Sequence, residues 1–374
     1  MQLLLCPYFY SNLQIRIQLK VAYCNTLRLH KSCAAKSKQK NKICEKPVIM
    51  RMKALLCTKY GMPGQVLKLQ DIKKPIPKAN EALVKIYAST VTAGDCRIIG
   101  YNFAKWFWLP GKFIFGFNKP RKNIPGWEFA GEIEAVGKKV NHFNIGDKVF
   151  GFTSGIRLGG TNAEYLAISA KRLVAMNLGK ISYKEASVLP VGGLTALHFL
   201  KKAGIKKGQK VLIYGASGSV GTYAVQFAKY FGAEVTGVCS SKNFNLVKSL
   251  GATHLIDYRN EDFTKNRQVY DVIFDAVIKT SFSHCENSIK PKGIYLTLDW
   301  PIIQAIWVSL TSTKKIIYGM ASDSTDDLVY LRKLVENNDI TPVIDRSYPL
   351  DEAVAAYEYV NEGHKVGNVT IMSH

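Results

Sequence analysis

The stretch Val211-Leu-Ile-Tyr-Gly-Ala-Ser-Gly-Ser-Val-Gly221 decides the fold of this chain. It opens as an apolar strand and turns through glycines. Thr222 to Tyr230 then have helical spacing, closed by Gly232. A second apolar run, Ala233 to Val238, follows at once, so the whole reads as a strand–helix–strand unit of roughly thirty residues. The glycines have chemical reasons. Gly215 takes the backbone angles of a tight turn, and Gly218 removes a side chain where a pyrophosphate must approach the main chain. Gly221 lets the helix lie close on the strand, while free N–H groups at the helix start face the anion. Gly215, Ala216, Ser217, Gly218, Ser219, Val220 and Gly221 therefore form a candidate dinucleotide-binding loop.

The second strand bears on which dinucleotide. Units that bind NAD place an Asp or Glu near its end to take the ribose hydroxyls. Here it ends in Val238-Cys239-Ser240-Ser241-Lys242, without an acid. Hydroxyls and a cation suit a 2′-phosphate, which needs donors and positive charge. Ser240 and Lys242 are the candidates, and Tyr258, after the apolar run His254-Leu-Ile-Asp257, adds a phenol. NADPH is the expected cofactor.

Strands and helices alternate from Val174 to Leu310, the pattern of a parallel sheet covered on both faces. Short strand-like runs with Gly and Pro turns fill 53–170, the pattern of an antiparallel, barrel-like domain. Leu328 to Val335 has helical spacing, Thr341-Pro-Val-Ile344 reads as a short strand, Asp351 to Val360 as a helix and Gly363 to Ile371 as a strand. The expected fold is α/β, with a β-barrel-type catalytic domain over 52–173 and 311–374 and a doubly wound Rossmann domain over 174–310. At 374 residues and 47% hydrophobic content the chain can fill two cores. No stretch approaches the roughly twenty apolar residues of a membrane span.

Residues 1–50 carry nine Lys or Arg and one acid, Glu45, so +8 of the +23 formal charge sits there and +15 on the rest. Acid-poor and basic is the look of an organelle leader. Arg is scarce in it, however, and amphipathic spacing is weak. An extension outside the fold (1–51), a targeting leader and a basic arm all stay open. The cysteines, at positions 6, 24, 33, 44, 57, 96, 239 and 285, show no framework spacing, which suits a reducing, cytoplasmic compartment. A basic chain attracts nucleic acid or anionic membrane surfaces. The cations are spread along the chain and no nucleic-acid module is present, so nucleic acid is not an expected partner.

Several segments, in this order and spacing, carry a resemblance. They are Met52-Lys-Ala-Leu-Leu56, Pro125-Gly-Trp-Glu-Phe-Ala-Gly131 with Val136-Gly137 and Gly146-Asp-Lys-Val149, Ala186-Ser-Val-Leu-Pro-Val-Gly-Gly-Leu-Thr-Ala196, the glycine loop, and Leu250 to Tyr258. From about Met52 to Ile371 the chain resembles the medium-chain dehydrogenase/reductases, and within them the zinc-free quinone oxidoreductase branch. The resemblance implies a GroES-like catalytic domain, a Rossmann NADP-binding domain, a homodimer paired through the cofactor domains and hydride delivery to a small apolar quinone or enone. Thr195, and Lys365 in the C-terminal tail, are the further cofactor contacts it suggests.

Zinc-type relatives hold a catalytic ion through two Cys and one His. By alignment the matching positions are Thr92, Trp127 and Gly192, which do not form such a ligand set. No metal site is expected, and zinc-dependent alcohol oxidation is disfavoured. An NADPH-dependent sensor or RNA-binding protein without turnover is the reading from a different functional class. Three residues of the loop Ala88 to Tyr101 are candidates for polarising or protonating the acceptor: Asp95 and Thr92 from the resemblance, and Tyr101 by its place near a proton-donating Tyr of enoyl reductases. A loop residue satisfied by backbone bonds is the competing reading for each.

Phe103 to Phe117 is dense in aromatic residues and is followed by Lys119-Pro-Arg-Lys122. A pocket wall, a helix packed on the barrel and a weak contact with a membrane surface are its three readings. Trp300 to Leu310 is a second apolar run, expected near the nicotinamide or at a subunit interface.

Overall fold

Antiparallel strands of the first half, joined by the last strands of the chain, build one sheet, and parallel strands of the second half build another. The computed structural model describes residues 50–103, 107–153, 159–265, 267–299, 301–321 and 323–374. The readings of 1–49, and of Trp106 and Trp300, fall outside the described residues.

In the first half β1 (Arg51–Cys57) and β2 (Leu67–Lys73) form an antiparallel pair. β3 (Glu81–Val91), β4 (Glu128–Val136), β5 (Lys148–Phe152), β6 (Tyr165–Ser169) and β7 (Leu173–Ala175) make an antiparallel sheet, with β6 paired to β3. The end of the chain completes it: β14 (Ile344–Pro349) and β15 (Asn368–Met372) run parallel to each other, and β15 lies against β3. This is the GroES-like domain.

The second half is a six-stranded parallel sheet. Its strands are β8 (Lys210–Tyr214), β9 (Glu234–Cys239), β10 (His254–Asp257), β11 (Tyr270–Asp275), β12 (Ile289–Thr297) and β13 (Lys315–Tyr318). Their order in space is β10-β9-β8-β11-β12-β13. Strand order reverses between β8 and β11, which places a ligand crevice at the carboxyl ends of those two strands.

Seven helices matter below: α1 (Ala93–Ile99), α2 (Trp108–Phe115), α3 (Pro190–Ala203), α4 (Ser219–Tyr230), α5 (Ile302–Thr311), α6 (Thr325–Glu336) and α7 (Ala353–Asn361). α4 buries Tyr223, Val225 and Phe227 completely. Each such side chain contributes roughly 1.5–3 kcal/mol by burial. The helix ends where Gly232 takes φ +83°, the left-handed turn that glycine permits. Phe199 of α3 stacks on Phe274 of β11 with centroids 5.4 Å apart, tying the helical layer to the sheet.

Two sequence expectations need correction. The Rossmann sheet does not stop at Leu310, because Lys315–Tyr318 pairs in parallel with β12. The tail strand expected at 341–344 begins instead at Ile344 and runs to Pro349. Pro342 has no N–H to give a ladder, so pairing starts beyond it.

Candidate cofactor and active site

The predicted loop joins β8 to α4 at the point where strand order reverses. Gly215 has φ +80°, and a Cβ there would stand 2.4 Å from Val277 Cγ1, just beyond β11. Gly221 is held more tightly: its Cβ would lie 2.0 Å from the Gly215 carbonyl oxygen. Gly218 differs from both. It has ordinary extended angles, and its Cβ would meet nothing closer than 3.4 Å. The protein's own packing does not require a glycine there.

No side chain caps α4 at this end. Helix geometry leaves its first N–H groups, from Ser219, Val220 and Gly221, without intrahelical acceptors, and the helix dipole adds partial positive charge. These observations fit a bound diphosphate: open space at Gly218 over an uncapped helix start.

The rim of the loop is tied from both sides. Asn243 Nδ2 donates to Ser217 Oγ at 3.0 Å. Gly367 N donates to the Ser217 carbonyl at 2.8 Å, and Ser219 Oγ donates to Asn368 Oδ1 at 2.6 Å. The last strand of the GroES-like domain thus starts on the glycine loop. Lys365, two residues earlier, donates to the Gly367 carbonyl. Thr195 is half-buried on α3, one turn beyond Gly192, which packs against Ser219 and Tyr223.

At the end of β9, Ser240 Oγ is buried with no hydrogen-bond partner among the described residues. Lys242 and Tyr258 are exposed beside it in sequence and across the β9–β10 pair. Sequence reasoning missed Arg259. Its guanidinium reaches Ser241 Oγ at 3.0 Å and Asp257 Oδ2 at 2.9 Å. That contact holds the Asp257 carboxyl far below its usual range. The Asp257 charge is therefore offset by Arg259, and with Lys242 the β9 and β10 ends carry one net positive charge.

On the catalytic side, Thr92 and Asp95 form a reciprocal cap on α1. Asp95 N donates to Thr92 Oγ at 3.1 Å, Thr92 Oγ donates to Asp95 Oδ2 at 2.7 Å, and Gly126 N donates to Asp95 Oδ1 at 2.9 Å. Burial pushes the Asp95 carboxyl up to about 6, against the pull of those donors. Trp127 covers Gly94, where a Cβ would stand 2.2 Å from its ring. Asp95 and Trp127 line a small 20 Å³ cavity with Cys57, Ile98, Pro120 and Lys122.

Tyr101 is not brought to this group. It sits at φ +52° and donates its hydroxyl to the Trp108 carbonyl at 2.6 Å. Its ring lies 4.8 Å from Tyr60, with Lys112 Nζ 3.9 Å above it. Tyr101→Phe is therefore expected to lower the thermal midpoint by removing one buried hydrogen bond, about 1 kcal/mol. It should leave kcat within about threefold, since general-acid catalysis is worth roughly a hundredfold or more. A hundredfold loss of kcat in the folded variant would restore the proton-donor reading.

Glu128 is the other residue that sequence reasoning quoted without assigning. It is 1% exposed and accepts from Thr90 Oγ at 2.7 Å and from Val191 N at 2.6 Å. The second bond joins β4 of one domain to the start of α3. Burial raises its carboxyl to about 7, opposed by the Val191 and Thr90 donors and by the Lys365 ammonium. Burial in turn lowers the Lys365 amine to about 8.

With Glu128 at about 7 when folded against 4.5 as the reference, the folded chain holds the extra proton across that window. Its contribution to stability therefore falls as pH rises. Relative to wild type, Glu128→Gln should gain stability between pH 4.5 and 7, on the order of 3 kcal/mol by the upper end. Urea midpoints across pH 4–8 measure this. A difference independent of pH would contradict it.

A 530 Å³ surface concavity lined by Lys78, Glu81, Lys171, Arg172 and Thr325 shares no residue with either group. It lacks the glycine loop and the buried carboxylates, so the chemistry argues for the crevice instead.

Comparison with known proteins agrees with this geometry. The alcohol dehydrogenase GroES-like domain matches residues 78–178, and the zinc-binding dehydrogenase family matches 250–371. A chloroplast envelope quinone oxidoreductase homolog of Arabidopsis thaliana is 31% identical over 335 residues, covering 86% of this chain and 98% of that protein. The solved quinone oxidoreductase of Coxiella burnetii is 30% identical with a TM-score of 0.78, covering 87% of this chain and all of that one. The chain belongs to the medium-chain dehydrogenase/reductase superfamily, in its quinone oxidoreductase-like branch. A third relative, an NADPH-dependent alkenal/one oxidoreductase of Arabidopsis thaliana, is 27% identical over 92% of this chain and 86% of that protein.

In this member of the superfamily Thr92 caps a helix, Trp127 packs on Gly94 and Gly192 packs against α4. Among the described residues no three His, Cys, Asp or Glu side chains stand together as a metal-ligand group. Among them, too, no helix is long and apolar enough to cross a membrane.

Proposed function

We propose that the chain is a zinc-independent, NADPH-dependent reductase acting on quinones or α,β-unsaturated carbonyls. The observation that carries this reading is the glycine-lined, uncapped start of α4, with Lys242 and Arg259 at the neighbouring strand ends. The named activities of the relatives support the substrate class, and one of them is an NADPH enzyme by name.

Bound NADPH supplies the hydride. The helix start and the Gly218 space receive the diphosphate. Ser240, Lys242, Tyr258 and Arg259 receive the adenosine end and its 2′-phosphate. Thr195 and Lys365 flank the loop from the other side. Thr92 and Asp95 hold the cavity wall against Trp127, and orientation of an already polarised acceptor is their contribution. The protons of Thr92 and Tyr101 are committed to Asp95 and the Trp108 carbonyl, so the reading leaves protonation of the reduced acceptor to solvent.

An alcohol substrate would need a Lewis acid for its alkoxide. Thr92, Trp127 and Gly192 offer no ligand set for one, which supports the quinone and enone reading. The open edge of β13 and the apolar outer face of α5, with Ile303, Trp307 and Leu310 exposed, support a homodimer paired through the Rossmann domain. Cys57, Cys96, Cys239 and Cys285 are free thiols, which supports residence in the reducing cytoplasm.

Two variants test the cofactor assignment. Lys242→Ala and Arg259→Ala should each raise the KM for NADPH by roughly tenfold to a hundredfold, the worth of a charge-assisted hydrogen bond. The KM for NADH should stay within about twofold. Equal loss for both cofactors would remove these cations from the 2′-phosphate site. Metal analysis of the purified chain tests zinc independence: stoichiometric zinc, with turnover lost on chelation, would overturn it.

A further inference from the structure

We propose that α2 and the basic loop after it form a docking surface for an anionic lipid bilayer. The inner face of α2 is fixed. Phe103 stacks on Phe115 with centroids 5.2 Å apart, Tyr101 holds the Trp108 carbonyl, and Lys112 lies over the Tyr60 and Tyr101 rings. Among the described residues the outer face is largely open. Trp108, Leu109, Phe113 and Phe117 are 53%, 57%, 60% and 55% exposed. Large apolar side chains concentrated in ten residues of surface mark an interaction site.

The charge around them says what kind. From Cys96 to Trp127 the sequence contains Arg97, Lys105, Lys112, Lys119, Arg121 and Lys122 and no Asp or Glu. Lys119, Arg121 and Lys122 are exposed directly after the apolar face. An apolar ridge of Trp, Leu and Phe bordered by acid-free cationic chain matches the interfacial layer of a bilayer. The rings enter the acyl boundary while the cations meet anionic headgroups. A nucleic acid would use the cations but leave the ridge in water, and a second copy packed through this same face would set Lys119, Arg121 and Lys122 against their own counterparts.

The surface also communicates with the candidate active site. Pro120 and Lys122, from the basic loop, line the same small cavity as Asp95 and Trp127.

The test is co-sedimentation of the full chain with phosphatidylcholine vesicles, with and without one-third phosphatidylglycerol, at 0.1 M salt. Wild type is expected to pellet with the anionic vesicles at least tenfold more than with the neutral ones. Leu109→Ser/Phe113→Ser should lose at least tenfold of that binding, and Lys119→Glu/Arg121→Glu a similar amount. Both should keep the wild-type thermal midpoint and turnover of a water-soluble quinone. Vesicle binding that neither double variant changes would overturn the proposal and assign the attraction to residues outside α2, the basic first fifty included. Loss of an oligomer on sizing, with vesicle binding intact, would overturn it in favour of a second copy. Binding needs no turnover, so an inactive protein that still docks through α2 separates this proposal from the reductase reading.

Discussion

Gly218→Asp is expected to abolish NADPH binding without unfolding the chain. Its Cβ would meet only the Gly215 carbonyl at 3.4 Å and Val277 Cγ1 at 3.8 Å, and the backbone angles there suit any residue. An aspartate at this position becomes the N-cap that α4 lacks, and capping by Asp is stabilising. The new carboxylate occupies the anion site from within. The thermal midpoint should therefore stay level or rise slightly, while NADPH affinity falls at least about a hundredfold, some 2.8 kcal/mol at 1.4 kcal/mol per tenfold. Calorimetric titration and a melting curve on the same sample read both. A destabilised variant that still binds NADPH would place the diphosphate elsewhere.

Gly221→Ala, three residues on, should do the opposite. Its methyl group would stand 2.0 Å from the Gly215 carbonyl oxygen and 2.9 Å from the Ala216 Cα. Both are backbone atoms that cannot rotate away, so α4 must lift off the loop. Overpacking typically costs about 1–3 kcal/mol, and a backbone clash falls at or above the upper end. The midpoint should drop by roughly 6 °C or more at 2–4 °C per kcal/mol. Cofactor affinity should fall with it, because the same N–H groups are displaced. An unchanged midpoint would mean that the helix and loop are less closely packed than described. The two variants together separate a glycine kept for the ligand from a glycine kept for the fold.

What could be read in the sequence was what is local. The strand–helix–strand unit around Gly215, Gly218 and Gly221 announces itself because turn, close approach and helix packing each demand glycine within seven residues. The position of Lys242 and Tyr258 just past the ends of adjacent strands was legible as well, since it depends only on where those strands stop. Thr92 and Asp95 were found, but their mutual cap was not, since spacing alone cannot tell a capping box from a catalytic pair. Long-range pairing hid the rest. The contact of Glu128 lies at Val191 on another domain, and Asn368 meets Ser219 across 149 positions. Lys315-Ile-Ile-Tyr318 looked like tail sequence because the parallel pairing that makes it the last Rossmann strand is with β12, across α5. Arg259 was passed over beside Tyr258, since its reach back to Ser241 depends on the β9–β10 register.

α2 shows the same limit from the other side. Its aromatic density was plain, yet only the structure divides it into a packed inner face around Tyr101 and an exposed ridge from Trp108 to Phe117. Tyr101 belongs to the inner face, with its hydroxyl on the Trp108 carbonyl.

The most direct test of the central claim is the initial rate of NADPH oxidation against that of NADH, with a small quinone and a panel of enones, before and after chelation. The account expects kcat/KM to favour NADPH by at least about tenfold, the worth of one charge-assisted contact to the 2′-phosphate, and to survive the chelator. Tight NADPH binding with no turnover on any acceptor would contradict it and make the chain a sensor. Turnover that vanishes with the chelator and returns with zinc would contradict it from the other direction.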